Sequence, residues 1–275
     1  MEPMRRPFAQ VDVFSSTPYY GNPVAVVLDG DGLTTEQMQR FAHWTNLSET
    51  TFVLPSESAD YRVRIFTPVA ELPFAGHPTL GTCHAWLEAG GRPASQDVVV
   101  QECEAGLVRV RRGKGRLAFA APPLIRSGPV EEADVQHAAD VLRIPRAAIV
   151  DAQWADNGPG WMAVLLESAE AVLALEPDFR RLGAAGDVLN IATAPGLDTD
   201  ILSRVFAPGA GIDEDPVTGS AHSVLTPYWA ERFGRESFSA WQASRRGGHV
   251  GCTLAGDRVI LGGRSVTVIE GVFTL

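Results

Sequence analysis

The chain carries one short pattern twice. R-x-F-x-P-x-A occurs at 64–70 and again at 204–210, an offset of 140 residues. P-x-x-G-x-x-H follows at 78–84 and at 216–222, an offset of 138 residues. Internal duplication restricts the fold strongly, because both copies must build the same order of strand, loop and helix. An acid/base residue stands directly before each repeated proline: His77 before Pro78, and Asp215 before Pro216. Two such half-sites facing each other across a cleft would bring His77 and Asp215 to bear on one small molecule.

The 275 residues allow one large domain or two halves. A hydrophobic content of 45% and a charged content of 20% are those of a globular protein. A net charge of −10 argues against nucleic acid as a partner, since that role needs phosphate-neutralising Lys and Arg. The basic stretch Arg109, Arg111, Arg112, Lys114 and Arg116 surrounds Gly113-Lys114-Gly115 and reads as a solvated hairpin. Cys83, Cys103 and Cys252 are odd in number and far apart, which suggests neither a disulfide framework nor a zinc site. No apolar run approaches the ~20 residues that span a bilayer, so no membrane partner is expected. Met1–Arg6 is not followed by the apolar region of a signal peptide, so a cytoplasmic location is expected.

Strand-like runs occur at 8–14, 23–28, 51–54, 61–66, 97–103, 107–111 and 116–120. Helices are expected over 34–45, where Asn46 suits the end, and over 78–88, which is apolar nearly all round and therefore buried. Ala121-Pro122-Pro123 marks a boundary. Beyond it the order returns: helices at 131–142, 169–175 and 217–233, with strands at 147–154, 161–166, 188–192, 201–206, 237–242, 248–254, 258–261 and 265–269. The reading is α+β, with two pseudo-symmetric domains, each a curled mixed sheet around a mostly apolar helix. The halves are 1–120 and 121–275, with the extreme C-terminus able to rejoin the first.

Pro78 and Pro216 suit the first position of a helix, which would make His77 and Asp215 cap residues. A helix start offers free N–H groups to an anion. Gly76, Gly81, Gly211 and Gly219 permit close backbone approach, and Thr218 and Ser220 can add hydroxyl donors or simply bond their own backbone. A Ser220/His77/Asp215 hydrolase triad lacks the second glycine of a nucleophile elbow. Glu49, between a helix and a strand, is locally as consistent with an exposed loop as with catalysis. The acids Asp213, Glu214 and Asp215 have no histidine at ligand spacing beside them, so no metal is expected, and no dinucleotide or phosphate loop motif occurs.

Longer stretches carry a resemblance: Asp12–Phe14, Gly21–Pro23, N-L-S-E-T at 46–50, F-T-P-V-A-E-L-P-F-A-G-H-P-T-L-G at 66–81, and E-D-P-V-T-G-S-A at 214–221. Over nearly its full length the chain resembles the PhzF-like isomerases of phenazine biosynthesis, whose fold is that of diaminopimelate epimerase. The epimerase uses a cysteine at each half-site, whereas here His77 and Asp215 occupy those segments. The resemblance implies that Glu49 is the proton shuttle, with His77 and Asp215 catalytic beside it, and Gly76, Thr218, Gly219 and Ser220 binding substrate. Asn157–Gly160 sits where relatives carry a Gly-Pro substrate loop. Many relatives have Gln-Gly and Gly-Arg-Pro where this chain reads Q-A-S-R-R-G-G-H at 242–249, a departure that weighs against the phenazine precursor as its substrate.

The implied function is cofactor-independent isomerisation of a small carboxylate-bearing metabolite in specialised-metabolite (antibiotic-type) biosynthesis. Candidates are dihydro-hydroxyanthranilate and a conjugated imine acid of an alkylproline-type pathway. The expected partners are that metabolite and a second copy of the chain. The alternatives are a two-base amino-acid epimerase or racemase, and a non-catalytic binding or scaffold protein.

Overall fold

The computed structural model describes residues 5–179, 189–208 and 212–274. Gly211 and the first residue of the strand expected at 188–192 lie outside the described residues. The chain divides into two compact units, Met1–Ala120 with Gly262–Leu275, and Ala121–Leu261.

In the first unit β1 (Arg5–Val13) lies antiparallel to both β2 (Asn22–Val27) and β17 (Ser265–Thr274). The helix α1 (Thr35–Thr45) carries the chain from β2 to the parallel β3 (Glu49–Leu54). Its ends are set locally. Thr34 accepts from the Gln37 backbone while the Gln37 side chain accepts from the Thr34 backbone, and Asn46 closes the helix in the left-handed conformation. Next come β4 (Tyr61–Phe66), antiparallel to β3, and the two-residue β5 (Glu71–Leu72). After α2 (Gly76–Glu88), β6 (Val98–Cys103) pairs parallel with β4 and continues into a meander with β7 (Gly106–Gly113) and β8 (Arg116–Ala120). Lys114 and Gly115 both have positive φ, as a two-residue hairpin turn of right-handed twist requires.

The sheet curls around α2, which packs against β1, β2, β3, β6, β7, β8 and β17. Its residues from His77 through Cys83 are all buried. Contact with so many strands is possible because position 81 has no side chain. A Cβ there would lie 2.3 Å from a Val24 methyl and 2.9 Å from a Val13 methyl.

The second unit runs β9 (Arg126–Pro129), α3 (Glu132–Leu142), β10 (Ile149–Asp156), β11 (Trp161–Leu166), α4 (Ala169–Leu173), β12 (Leu189–Pro195), β13 (Ile201–Phe206), α5 (Gly219–Phe233), β14 (Ser237–Gln242), β15 (Gly248–Ala255) and β16 (Arg258–Gly263), in which the boundary falls. The pairings β9–β10–β11 are antiparallel, β11–β12 parallel, β12–β13 antiparallel, β13–β14 parallel and β14–β15 antiparallel. Val135, Ala139, Leu142, Met162, Val164, Val172, Ala192 and Phe206 form one core beneath α3 and α4. The helix α5 packs on β10, β14 and β15 through a buried face that includes Ala221, Leu225 and Trp229.

Each unit is thus a mixed sheet with a buried late helix, and the α+β architecture holds. The duplicated motif builds the same clamp twice. Arg64 Nε donates to Glu71 at 2.7 Å and its guanidinium lies 5.1 Å from the Phe66 ring centre. Arg204 Nε donates to Glu214 at 2.7 Å and its guanidinium lies 5.0 Å from the Phe206 ring centre. In each copy a fork-shaped ion pair, stacked on an aromatic ring, holds the loop leading to the helix.

The helix starts differ from the expected ones. The first helix begins at Gly76 with Ala75 as its cap, so His77 lies inside the first turn. Pro78 is still tolerated there, because a first-turn N–H has no partner within the helix. The second begins at Gly219 with Thr218 as its cap, so neither Asp215 nor Pro216 stands at the helix start. The Thr218 N–H is drawn out of the helix by the Gln242 side chain of β14, which accepts it at 2.8 Å.

Candidate active site

Glu49 is the first residue of β3, directly after the turn that follows the Asn46 cap, and its register partner on β2 is Val24. That pairing and the first turn of α2 bring its carboxylate to His77. Nε2 of His77 lies 3.2 Å from Oε2 of Glu49, with side-chain exposures of 7% and 16%. Burial pushes the His77 pKa down to about 3, outweighing its hydrogen bond to the Pro23 backbone, which acts in the opposite direction.

The proton count follows from these contacts. A neutral imidazole has one N–H, and proline offers only a carbonyl, so the ring donates to Pro23 through its other nitrogen. The Nε2 lone pair then faces the Glu49 carboxyl group. The Glu49 carboxyl group thus lies beside a buried, neutral imidazole.

Gly76 opens the helix beside them. A Cβ at that position would lie 2.8 Å from the Phe119 ring, so the backbone turns under an aromatic lid that leaves no room for a side chain. The histidines of the repeated P-x-x-G-x-x-H pattern have a different task. His84 Nε2 lies 3.3 Å from Glu88, and His222 is fully buried between Ser203 and the Thr218 carbonyl.

In the second unit Asp215, Thr218, Gly219 and Ser220 come together around the start of α5. The Thr218 hydroxyl donates to Oδ2 of Asp215. Gln242 Nε2 donates to the Asp215 carbonyl at 2.8 Å and to Thr218 Oγ1 at 3.2 Å. The Ser220 hydroxyl accepts from Trp161 Nε1 at 3.1 Å. An indole N–H can only donate, so the hydroxyl proton of Ser220 is left for another acceptor. The Asn157–Gly160 loop is fixed by Asp156, whose Oδ1 accepts from Gly158 N at 2.8 Å and Gly160 N at 2.6 Å. Asn157 Nδ2 donates to Ser223 at 2.8 Å and ties that loop to α5.

Each expected site residue thus has a place within its own unit. Gln242 and Trp161 were not expected in the site. Gln242 had a visible signal, since in the alternation Ser237–Gln242 it falls on the inward face with Phe238 and Ala240, where an amide needs partners. No three His, Cys, Asp or Glu side chains are grouped as a metal site among the described residues.

Comparison with other proteins agrees with this fold. A family model described as phenazine biosynthesis-like protein matches residues 11–271. The chain belongs to the PhzF family. It is 40% identical to an uncharacterised isomerase of Pseudomonas aeruginosa over 268 residues, covering 98% of both chains. It is 39% identical over 228 residues to the trans-2,3-dihydro-3-hydroxyanthranilate isomerase of the same organism, covering 81% of this chain and 79% of that one. A PhzF-family crystal structure from Enterococcus faecalis superposes with a TM-score of 0.86 at 31% identity, covering 99% of this chain and 100% of that one. The protein is a PhzF-family isomerase. Among the described residues, no helix of this PhzF-family chain is long and apolar enough to cross a membrane.

Proposed function

We propose that the chain catalyses a cofactor-independent proton shift, moving a double bond in a small carboxylate-bearing metabolite, with Glu49 as the proton shuttle. The observation that carries this reading is the Glu49–His77 contact of 3.2 Å, in which burial keeps His77 from holding a stable positive charge. A proton shift needs one group that takes a proton from one carbon and returns it to another. A carboxyl group held beside a buried, neutral imidazole is suited to both steps. In the first unit Gly76 is assigned to substrate contact, and in the second Asp215 is assigned as an acid/base and Ser220 as a donor to developing negative charge, with Thr218 and Gly219 supplying further contacts.

The relative named trans-2,3-dihydro-3-hydroxyanthranilate isomerase makes that compound the first substrate to try, and a conjugated cyclic imine acid the second. The proposed setting is a biosynthetic route to a specialised metabolite in the cytoplasm, with the chain acting as a homodimer.

The test is Glu49→Gln, assayed by loss of substrate and by solvent-deuterium incorporation. Gln keeps the shape but cannot carry the proton. Turnover should fall at least ~100-fold, the scale of a lost general acid/base. Near-normal turnover would remove Glu49 from the reaction. Full solvent deuterium at an inverted stereocentre would replace the proton-shift reading with two-base epimerisation.

A further inference from the structure

We infer that Gln242 is a positioning residue for Asp215, acting through Thr218; the inference rests on the reading that Asp215 takes part in the reaction. Gln242 is fully buried at the end of β14. Its Oε1 accepts the Thr218 N–H at 2.8 Å, and its Nε2 donates to the Asp215 carbonyl at 2.8 Å and to Thr218 Oγ1 at 3.2 Å. The amide orientation is therefore fixed by two unambiguous partners, a backbone donor on one side and a backbone acceptor on the other.

That orientation fixes the next bond. A threonine hydroxyl has one proton. Because Gln242 donates into Thr218 Oγ1, that proton is directed away from Gln242, and it goes to Oδ2 of Asp215. The chain Gln242 to Thr218 to Asp215 has a single direction. It holds the carboxylate in place, stabilises its charged form, and takes the Thr218 hydroxyl away from the helix-capping role its position would otherwise give it, for Thr218 makes no side-chain cap bond.

Glu214, next to Asp215, is held by Arg204 of β13 at 2.7 Å. Arg245 and Arg246 lie in the turn after β14, which is anchored by the Ser244 hydroxyl on the Pro216 carbonyl at 2.6 Å. Asp213 precedes Glu214 in the loop before α5. An uncharged replacement of Gln242 alters none of these charges.

The experiment is carbon-detected NMR of protein labelled at aspartate side-chain carboxyls, with the Asp215 signal assigned by its loss in Asp215→Asn. The variants are Gln242→Met, Thr218→Val and the double variant, each titrated from pH 7 to pH 2.5 or to the acid limit of folding. The expected result is a rise in the Asp215 midpoint of at least ~1 pH unit, tenfold in proton affinity, in both single variants. The double variant should show no further rise, because the two residues act through one bond. Should Gln242→Met not fold, Thr218→Val, which keeps both backbone bonds of Gln242, still has to show the rise. A midpoint within ~0.3 unit of wild type in either folded single variant, or fully additive shifts, overturns the inference. The readout needs no substrate. If Asp215→Asn left turnover unchanged, the functional reading would fail while the titration still decided the role of Gln242.

Discussion

His222 makes the second unit sensitive to acid, by an amount that follows from its surroundings. Its Nδ1 lies 2.8 Å from the Thr218 carbonyl oxygen and its Nε2 lies 3.1 Å from Ser203 Oγ. A carbonyl only accepts, so Nδ1 bears the proton and Nε2 accepts from the serine. Burial pushes the pKa from 6.5 down to about 4. The unfolded chain therefore binds a proton through a range in which the folded chain refuses it, and stability rises with pH. The contribution is complete above about pH 6.5 and is lost as the pH falls toward 4. One pKa unit is worth ~1.36 kcal/mol, so this residue alone should cost ~2 kcal/mol at pH 5 and ~3 kcal/mol at pH 4. The assay is urea unfolding at pH 8 and pH 5, followed by tryptophan fluorescence, since Trp161 and Trp229 are buried in the same unit. His222→Asn will be less stable at both pH values, but its deficit relative to wild type should shrink by ~2 kcal/mol at the lower pH. A deficit that stays constant within ~0.5 kcal/mol would refute the argument.

Three further outcomes are expected. Asp215→Asn keeps an acceptor for the Thr218 hydroxyl, so stability should change by less than ~1 kcal/mol in urea unfolding while turnover falls at least ~100-fold. Gly81→Ala forces a methyl against Val24 and Val13 and should destabilise the first unit by ~1–3 kcal/mol, read as a lower unfolding midpoint. Prolonged dialysis against a strong chelator should leave turnover intact, and activity lost and then restored by added metal would contradict the cofactor-independent reading.

Local chemistry made much of the fold legible. Thr34, Gln37 and Asn46 spell the limits of α1 because each acts on backbone groups within a few residues of itself. Strands such as 161–166, 201–206 and 237–242 announced themselves by β-branched and aromatic content. The helix starts beside the site were less legible, because distant residues set them. Gln242 is 24 residues from Thr218 in sequence, and no local pattern shows that it will take the Thr218 N–H. The full length of β17 was hidden for the same reason. Its extension past Ile269 depends on pairing with residues 5–10 at the other end of the chain. Glu49 shows the limit most clearly. In sequence it is an ordinary carboxylate between a helix and a strand, and only the parallel pairing of β2 and β3 places it against His77.

The pairing of β1 with β17 also sets a timetable for synthesis. During translation β1 emerges early and finds β2 on one side, but its other edge stays open until the entire second unit has been made. At ~5–20 residues per second that interval is some tens of seconds. Throughout it the nascent unit that carries Glu49 and His77 displays an unpaired strand edge, the kind of surface that other chains can join. The half of the molecule begun first is the half finished last, and crowding on a polysome should harm it more than its partner.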